Sequence, residues 1–196
     1  MATLAALSTA IEARDPWARG HASRVALLAY SLARRIGFDG LSLARLRLGG
    51  ILHDVGKLEV PEAILLKPGP LTEPELVQMR RHPAAGARML RALGAGEEAL
   101  PCVLYHHERW DGHGYPSGRV GDEIPLEARI LAVADAFDAM TSKRPYRDAR
   151  PAPEALDELE RCSGSQFDPF LVDAFVETCG VGDLGWRADE RVVRAS

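Results

Sequence analysis

The sequence predicts an all-α fold, and three observations predict it. Apolar residues recur at the i, i+3, i+4, i+7 spacing of a buried helix face along nearly the whole chain. Glycines, prolines and capping residues fall where such helices would begin and end. No segment alternates apolar and polar residues as a half-buried strand does, and there is no internal repeat or low-complexity run. The length of 196 residues suits one domain, since domains usually run to about 100–200 residues.

The elements follow in order. Residues 1–14 read as a helical lead-in. Val25, Leu28, Ala29, Leu32 and Ile36 share one face of the next helix, His21 lies on that inward face, and Gly37 stops it. Ser42 is placed to cap a helix through Leu43, Leu46, Gly50 and His53, ending around Gly56. Pro61, Pro68, Gly69 and Pro70 then mark a loop. Thr72 and Glu75 have capping-box spacing with Pro74 in the first turn, and Pro83 should end that helix near His82. A further helix runs to about Leu93 and Gly94, with Met89 and Leu90 inward. Pro101 opens another, on which Leu100, Val103, Leu104 and His107 share a face. Residues 108–125 are loop-like, with Gly112, Gly114, Gly118 and Gly121. Helix returns from Leu126 to Ser142, burying Ile130, Val133, Ala134 and Phe137. A short basic linker precedes two amphipathic helices around Leu156–Leu159 and Phe170–Val176, joined by a Ser163-Gly164-Ser165 turn. Residues 1–180 are thus read as the domain and 181–196 as a polar tail.

Composition excludes several classes. With 46% hydrophobic and 27% charged residues the chain is neither disordered nor fibrous. No apolar run approaches the roughly 20 residues that span a bilayer, so no membrane association is expected. The N-terminus lacks a basic region and contains Glu12, unlike a signal peptide. Cys102, Cys162 and Cys179 are odd in number and widely spaced, and read as reduced thiols of a cytoplasmic protein. Lys and Arg number 24 against 28 Asp and Glu, a net charge of −4. That balance gives no general grip on a nucleic-acid polymer, so an anionic ligand needs a local cationic device.

The polar residues on inward faces carry the chemistry. They are His21, His53, Asp54, His82, His106, His107 and Asp135. A lone interior histidine is usually a satisfied core residue, and a His-Asp dipeptide arises readily by chance. Five histidines and two carboxylates are different, because burying them unpartnered would cost a few kcal/mol each. A metal centre satisfies all of them together. Imidazole and carboxylate without thiolate suit iron, manganese, zinc, cobalt or nickel. There are too many donors for one tetrahedral ion, so two metals bridged by a carboxylate fit better. Lys57, beyond His53, can anchor an anionic substrate.

The strings His53-Asp54-Val55-Gly56-Lys57, His106-His107-Glu108-Arg109-Trp110-Asp111-Gly112-His113-Gly114-Tyr115-Pro116 and Asp135-Ala136-Phe137-Asp138-Ala139-Met140-Thr141 resemble the HD-GYP family. This is a branch of the HD phosphohydrolases that cleaves the bacterial messenger cyclic di-GMP. The resemblance runs from about Asp15 to Pro169, and motifs of this length, order and spacing are a strong signal. It implies a single HD-type helical domain with a glycine-rich GYP loop. It also implies that His21, His53, Asp54, His82, His106, His107 and Asp135 bind metal, with Asp54 bridging. Lys57 matches the lysine that contacts the scissile phosphate, and Tyr115 belongs to the Gly-Tyr-Pro signature lining the cleft. Arg144 and Arg147 match a basic pair that holds phosphate or guanine. Asp138, one turn from Asp135, is better placed to orient a ligand than to be one.

Some members hold a third metal with a glutamate four residues before the first histidine. Trp17 stands there and cannot ligate, so two divalent transition metals are expected: iron, with manganese or nickel as alternatives. The expected reaction is attack of a metal-bridging hydroxide on one phosphodiester of cyclic di-GMP, giving linear pGpG, with hydrolysis on to GMP left open. The alternatives are an HD phosphohydrolase acting on another nucleotide and a non-catalytic cyclic di-GMP receptor with protein signalling partners. His113 is expected to be a loop residue, with a contact to substrate left open, and Glu108 and Arg109 to be exposed charges that pair with each other or with solvent.

Overall fold

The structure, a computed structural model, describes residues 2–15, 19–94, 96–143 and 148–180. Among these the regular secondary structure is helical, with two isolated bridges that join Asp111 to Val120 and Ser163 to Phe167. In order the helices are α1 (Ala2–Arg14), α2 (His21–Arg35), α3 (Gly40–Leu52), α4 (Glu62–Leu65), α5 (Glu73–Met79), α6 (His82–Leu93), α7 (Leu100–Tyr105), α8 (Leu126–Thr141), α9 (Ala152–Arg161) and α10 (Pro169–Gly180). No helix among the described residues is long and apolar enough to cross a membrane. The expected polar tail, Trp17 and the arginines Arg144 and Arg147 lie outside the described residues.

Local chemistry sets most boundaries. On α2, Val25, Leu28, Ala29 and Leu32 are buried with Ala26 and Ala33, as the apolar stripe requires. At α3 the cap is Asp39, not Ser42: the Asp39 carboxylate accepts the Ser42 N–H at 2.7 Å. Two capping residues three apart compete, and the one whose backbone stays extended takes the position. The same helix ends at Leu52, four residues short of expectation (56 minus 52), and a 3-10 turn over Val55–Glu59 follows. Short α4 interrupts the proline-rich loop. The Thr72 N–H donates to the Glu75 carboxylate at 2.7 Å, as in a capping box, and the Thr72 hydroxyl donates to the same carboxylate at 2.9 Å. Pro83 opens α6 from its first turn rather than closing α5, which already stops at Met79. Likewise α7 stops at Tyr105, so His107 lies beyond the helix face to which its spacing assigned it.

Two apolar clusters hold these helices. In the larger, Leu28 and Leu32 of α2, Leu46 of α3, Ile130 and Phe137 of α8, Leu159 of α9 and Phe175 of α10 pack together. The Phe137 and Phe175 rings meet edge to face with centres 5.1 Å apart. The smaller joins Ile11, Leu52, Val55, Leu90, Ala99 and Val103. The turn after α3 packs on α6, while α2 packs on both α3 and α8, so residues just beyond α3 face all of these helices.

Gly56 makes that approach possible. A Cβ there would lie 1.8 Å from the His82 carbonyl oxygen and 2.5 Å from the Gly86 nitrogen. Backbone, unlike a side-chain tip, cannot swing aside. Gly56→Ala is therefore expected to lower stability by about 2 kcal/mol or more, measured by denaturant unfolding.

Candidate metal centre

Seven side chains from five parts of the chain converge. His21 opens α2, His53 and Asp54 follow α3, His82 opens α6, His106 and His107 follow α7, and Asp135 lies within α8. All seven sequence-predicted interior residues are therefore brought together. Three of the rings are held in the same way, by the carbonyl of a residue three or four earlier. His53 Nδ1 donates to the Gly50 carbonyl at 2.8 Å, His82 Nδ1 to Met79 at 2.8 Å, and His106 Nδ1 to Cys102 at 2.9 Å. Because a carbonyl only accepts, each of these Nδ1 atoms carries the proton and each Nε2 is left as a lone pair.

Those lone pairs surround Asp54. Its Oδ1 lies 3.4 Å from His82 Nε2 and 4.0 Å from His106 Nε2. Its Oδ2 lies 3.4 Å from His53 Nε2 and 3.9 Å from His21 Nε2. One carboxylate thus faces two groups of donors, Asp54 with His82, His106 and His107 on one side, and Asp54 with His21 and His53 on the other. Asp135 joins the second side, 3.3 Å from His21 Nε2.

The donor set fits a pair of cations. His82 Nε2 and His106 Nε2 stand 3.3 Å apart, two lone pairs facing each other with no proton between them. His53 Nε2 is buried with no hydrogen-bond partner. An orphan of that kind costs about 1–3 kcal/mol unless something satisfies it. A divalent ion does so for each of these atoms, and imidazole with carboxylate selects a transition metal over calcium or magnesium.

The electrostatics point the same way. Burial, with the neighbouring positive groups, pushes His82 and His107 down to about 4 and His106 down as well, so these rings stay neutral. Burial also opposes protonation of His21, but hydrogen bonds to Asp135 and Asp138 outweigh it and raise this ring to about 9. Burial likewise resists ionisation of Asp54, yet Lys57 and the histidines hold it well below the usual carboxylate range. Lys57 Nζ donates to Asp54 Oδ2 at 2.6 Å, and Asp54 in turn keeps the ammonium charged against its own burial.

Supporting residues complete the site. Asp138 accepts from His21 Nδ1 at 2.7 Å and from Arg24 Nε at 2.6 Å. Arg24 also reaches the Ser142 hydroxyl at 3.1 Å. Tyr115 stacks on His107, ring centres 4.8 Å apart and planes 25° apart. Glu108 is buried rather than exposed, and its carboxylate accepts the Ser117 and Arg119 N–H groups at 2.7 and 3.2 Å, holding the loop that carries Tyr115. Arg109 pairs with Asp111 at 2.6 Å, not with Glu108. His113 is exposed on the loop. The sequence gives Arg24 no assigned role and presents Glu108 as an exposed charge. Arg24 could have been found from its position one turn after His21, which puts both on the face turned to α8. Glu108 offered no such periodicity, only its place at the head of a glycine-rich loop.

The family model described as HD domain matches residues 5–171 of the chain. The cyclic di-GMP phosphodiesterase response regulator RpfG of Xanthomonas campestris pv. campestris (strain 8004) is 44% identical over 179 residues, covering 89% of this chain and 47% of that protein. A cyclic di-GMP phosphodiesterase of Thermotoga maritima is 41% identical over 168 residues, covering 85% of this chain and 46% of that protein. The chain therefore spans about half the length of the curated relatives it matches. Among solved structures, the cyclic GMP-AMP specific phosphodiesterase V-cGAP3 of Vibrio cholerae superposes with a TM-score of 0.70 at 20% identity, over 98% of this chain and 52% of that one. At that identity the likeness is one of fold.

Protons and metal compete for the same nitrogens. His82 and His107, at about 4, need lose no proton on binding above pH 5, whereas His21, at about 9, must release one at pH 7. The affinity for Mn²⁺ should therefore rise by up to about tenfold per pH unit between pH 7 and 8. Calorimetry in buffers of different ionisation enthalpy should count about one proton released per protein for that site.

Proposed function

This chain belongs to the HD domain family, and on that premise we propose that it is a metal-dependent phosphodiesterase that hydrolyses cyclic di-GMP to linear pGpG. The observation that carries the reading is the buried carboxylate of Asp54, with His82 and His106 at one oxygen and His53 and His21 at the other. That arrangement supports two metals rather than one. His21, His53, Asp54 and Asp135 would hold one, and Asp54, His82, His106 and His107 the other. Iron is the first candidate, with manganese or nickel suited to the same donors. The two relatives named as cyclic di-GMP phosphodiesterases, at 44% and 41% identity, support the choice of substrate.

When bound, paired divalent cations supply Lewis-acid charge at phosphoryl oxygens and an ionised water near neutral pH. The rest falls to the chain itself. Lys57, on a flexible stem beside Asp54, can turn its ammonium to a phosphoryl oxygen and balance charge that builds there. Asp138 fixes the His21 ring through Nδ1, leaving Nε2 aimed at the centre. The Tyr115 ring, stacked on His107, forms a wall on which a base or ribose can lie. Arg144 and Arg147 are assigned phosphate or guanine contacts on the strength of their motif alone. With a net charge of −4 the chain repels anions at large, so these local cations determine where one can bind.

Protein loaded anaerobically with iron, and separately with manganese, is expected to convert cyclic di-GMP to pGpG, followed by chromatography. Asp138→Asn should lower metal affinity or turnover by about 10–100-fold while leaving the helical fold intact. If fully metallated protein binds cyclic di-GMP and leaves it uncut, the receptor reading replaces this one. Faster cleavage of a different cyclic dinucleotide would move the substrate.

A further inference from the structure

Arg80 follows the last turn of α5, and its guanidinium carbon lies 5.6 Å from the centre of the Tyr115 ring. Tyr115 stacks on His107 at 4.8 Å, and the His107 ring lies 4.1 Å from His106 and 5.0 Å from His82, centre to centre. A continuous run of rings therefore leads from the histidine cluster out to Arg80. The residue is exposed, and its guanidinium makes no hydrogen bond or ion pair with any described residue.

Three other described arginines near the site are engaged. Arg24 holds Asp138 and Ser142, Arg109 holds Asp111, and Arg119 holds the Glu123 carbonyl and the Tyr105 hydroxyl. Arg119 also lies over a ring, that of Tyr105, but Arg80 is held among the described residues by a ring face without a hydrogen bond, a contact that positions the guanidinium while leaving its N–H donors free. A planar fork fixed in this way is suited to a phosphate, which takes two parallel N–H bonds.

We propose that Arg80, seated on Tyr115, binds the second phosphate of a cyclic dinucleotide, the one that is not cut. This rests on the phosphodiesterase reading above. A cyclic dinucleotide carries two phosphodiesters on one ring. When one lies among the metal ligands and Lys57, the other faces a different part of the wall, and Arg80 supplies a cation there. Arg80 is a binding residue, and it favours a doubly charged ring over a diester with a single phosphate.

The test compares cyclic di-GMP with GpG, which keeps both guanines but has one phosphodiester, each as a phosphorothioate that resists cleavage. Dissociation constants are measured by calorimetry on metal-loaded wild type, Arg80→Ala and Arg80→Lys. Arg80→Ala is expected to weaken the cyclic ligand about tenfold, the loss of one charge-assisted phosphate contact. GpG should weaken several-fold less, and Arg80→Lys should recover part of the loss because it keeps the charge without the fork. Equal weakening of both ligands would reassign Arg80 to a base or to loop packing, and no weakening of either would remove it from the site. Both results overturn the assignment while the cyclic di-GMP reading stands. Failure of the wild type to bind the cyclic ligand would overturn both.

Discussion

Everything in this fold is arranged around one buried carboxylate. Asp54 sits where α3 gives way to a tighter turn, enclosed by histidines from four parts of the chain. An ionised carboxylate in such a place is costly unless positive groups or donors surround it. Lys57 and the imidazoles supply that surrounding, and the geometry they need dictates the backbone. The turn must press against the start of α6, which only a glycine at position 56 permits. The apolar clusters on either side set the helix positions, and the carboxylate sets how their ends must meet.

The site divides into two electrostatic halves. On the side of His82, His106 and His107, burial keeps the rings neutral, so they offer lone pairs at ordinary pH. On the other side Asp54, Asp135 and Asp138 surround His21 and raise its basicity. One half is prepared by exclusion of water and the other by concentrated negative charge. The net acidity of the chain suits a pocket that attracts cations.

Much of this was legible in the sequence. The apolar stripe of α2, the Thr72–Glu75 box and the Gly94 stop each follow from local rules, and the structure places them as read. The cluster of seven polar side chains was legible because so many polar residues on apolar faces have no inexpensive alternative. What failed depended on choices that sequence leaves even. Ser42 and Asp39 are both good caps, and only backbone geometry decides between them. Pro83 could end one helix or begin another, and it begins α6. Glu108 looked like a surface charge because nothing local says that residues 117 and 119 will fold over it. Which nitrogen of each histidine faces inward is a tertiary fact, fixed only once the helix ends are in place.

The anchoring of the rings has a consequence for how such a centre tolerates sequence drift. His53, His82 and His106 are oriented by main-chain carbonyls, at Gly50, Met79 and Cys102, which every amino acid possesses. Point substitution at Met79 or Cys102 removes no anchoring atom, whereas at Gly50 a Cβ would meet the Ala26 backbone at 2.8 Å, so the aim of these rings depends on how the backbone packs rather than on an anchoring side chain. His21 alone among the four is steered by a side chain, Asp138, itself tied to Arg24. A substitution at Asp138 or Arg24 would therefore redirect the His21 ring without touching the anchors of His53, His82 and His106.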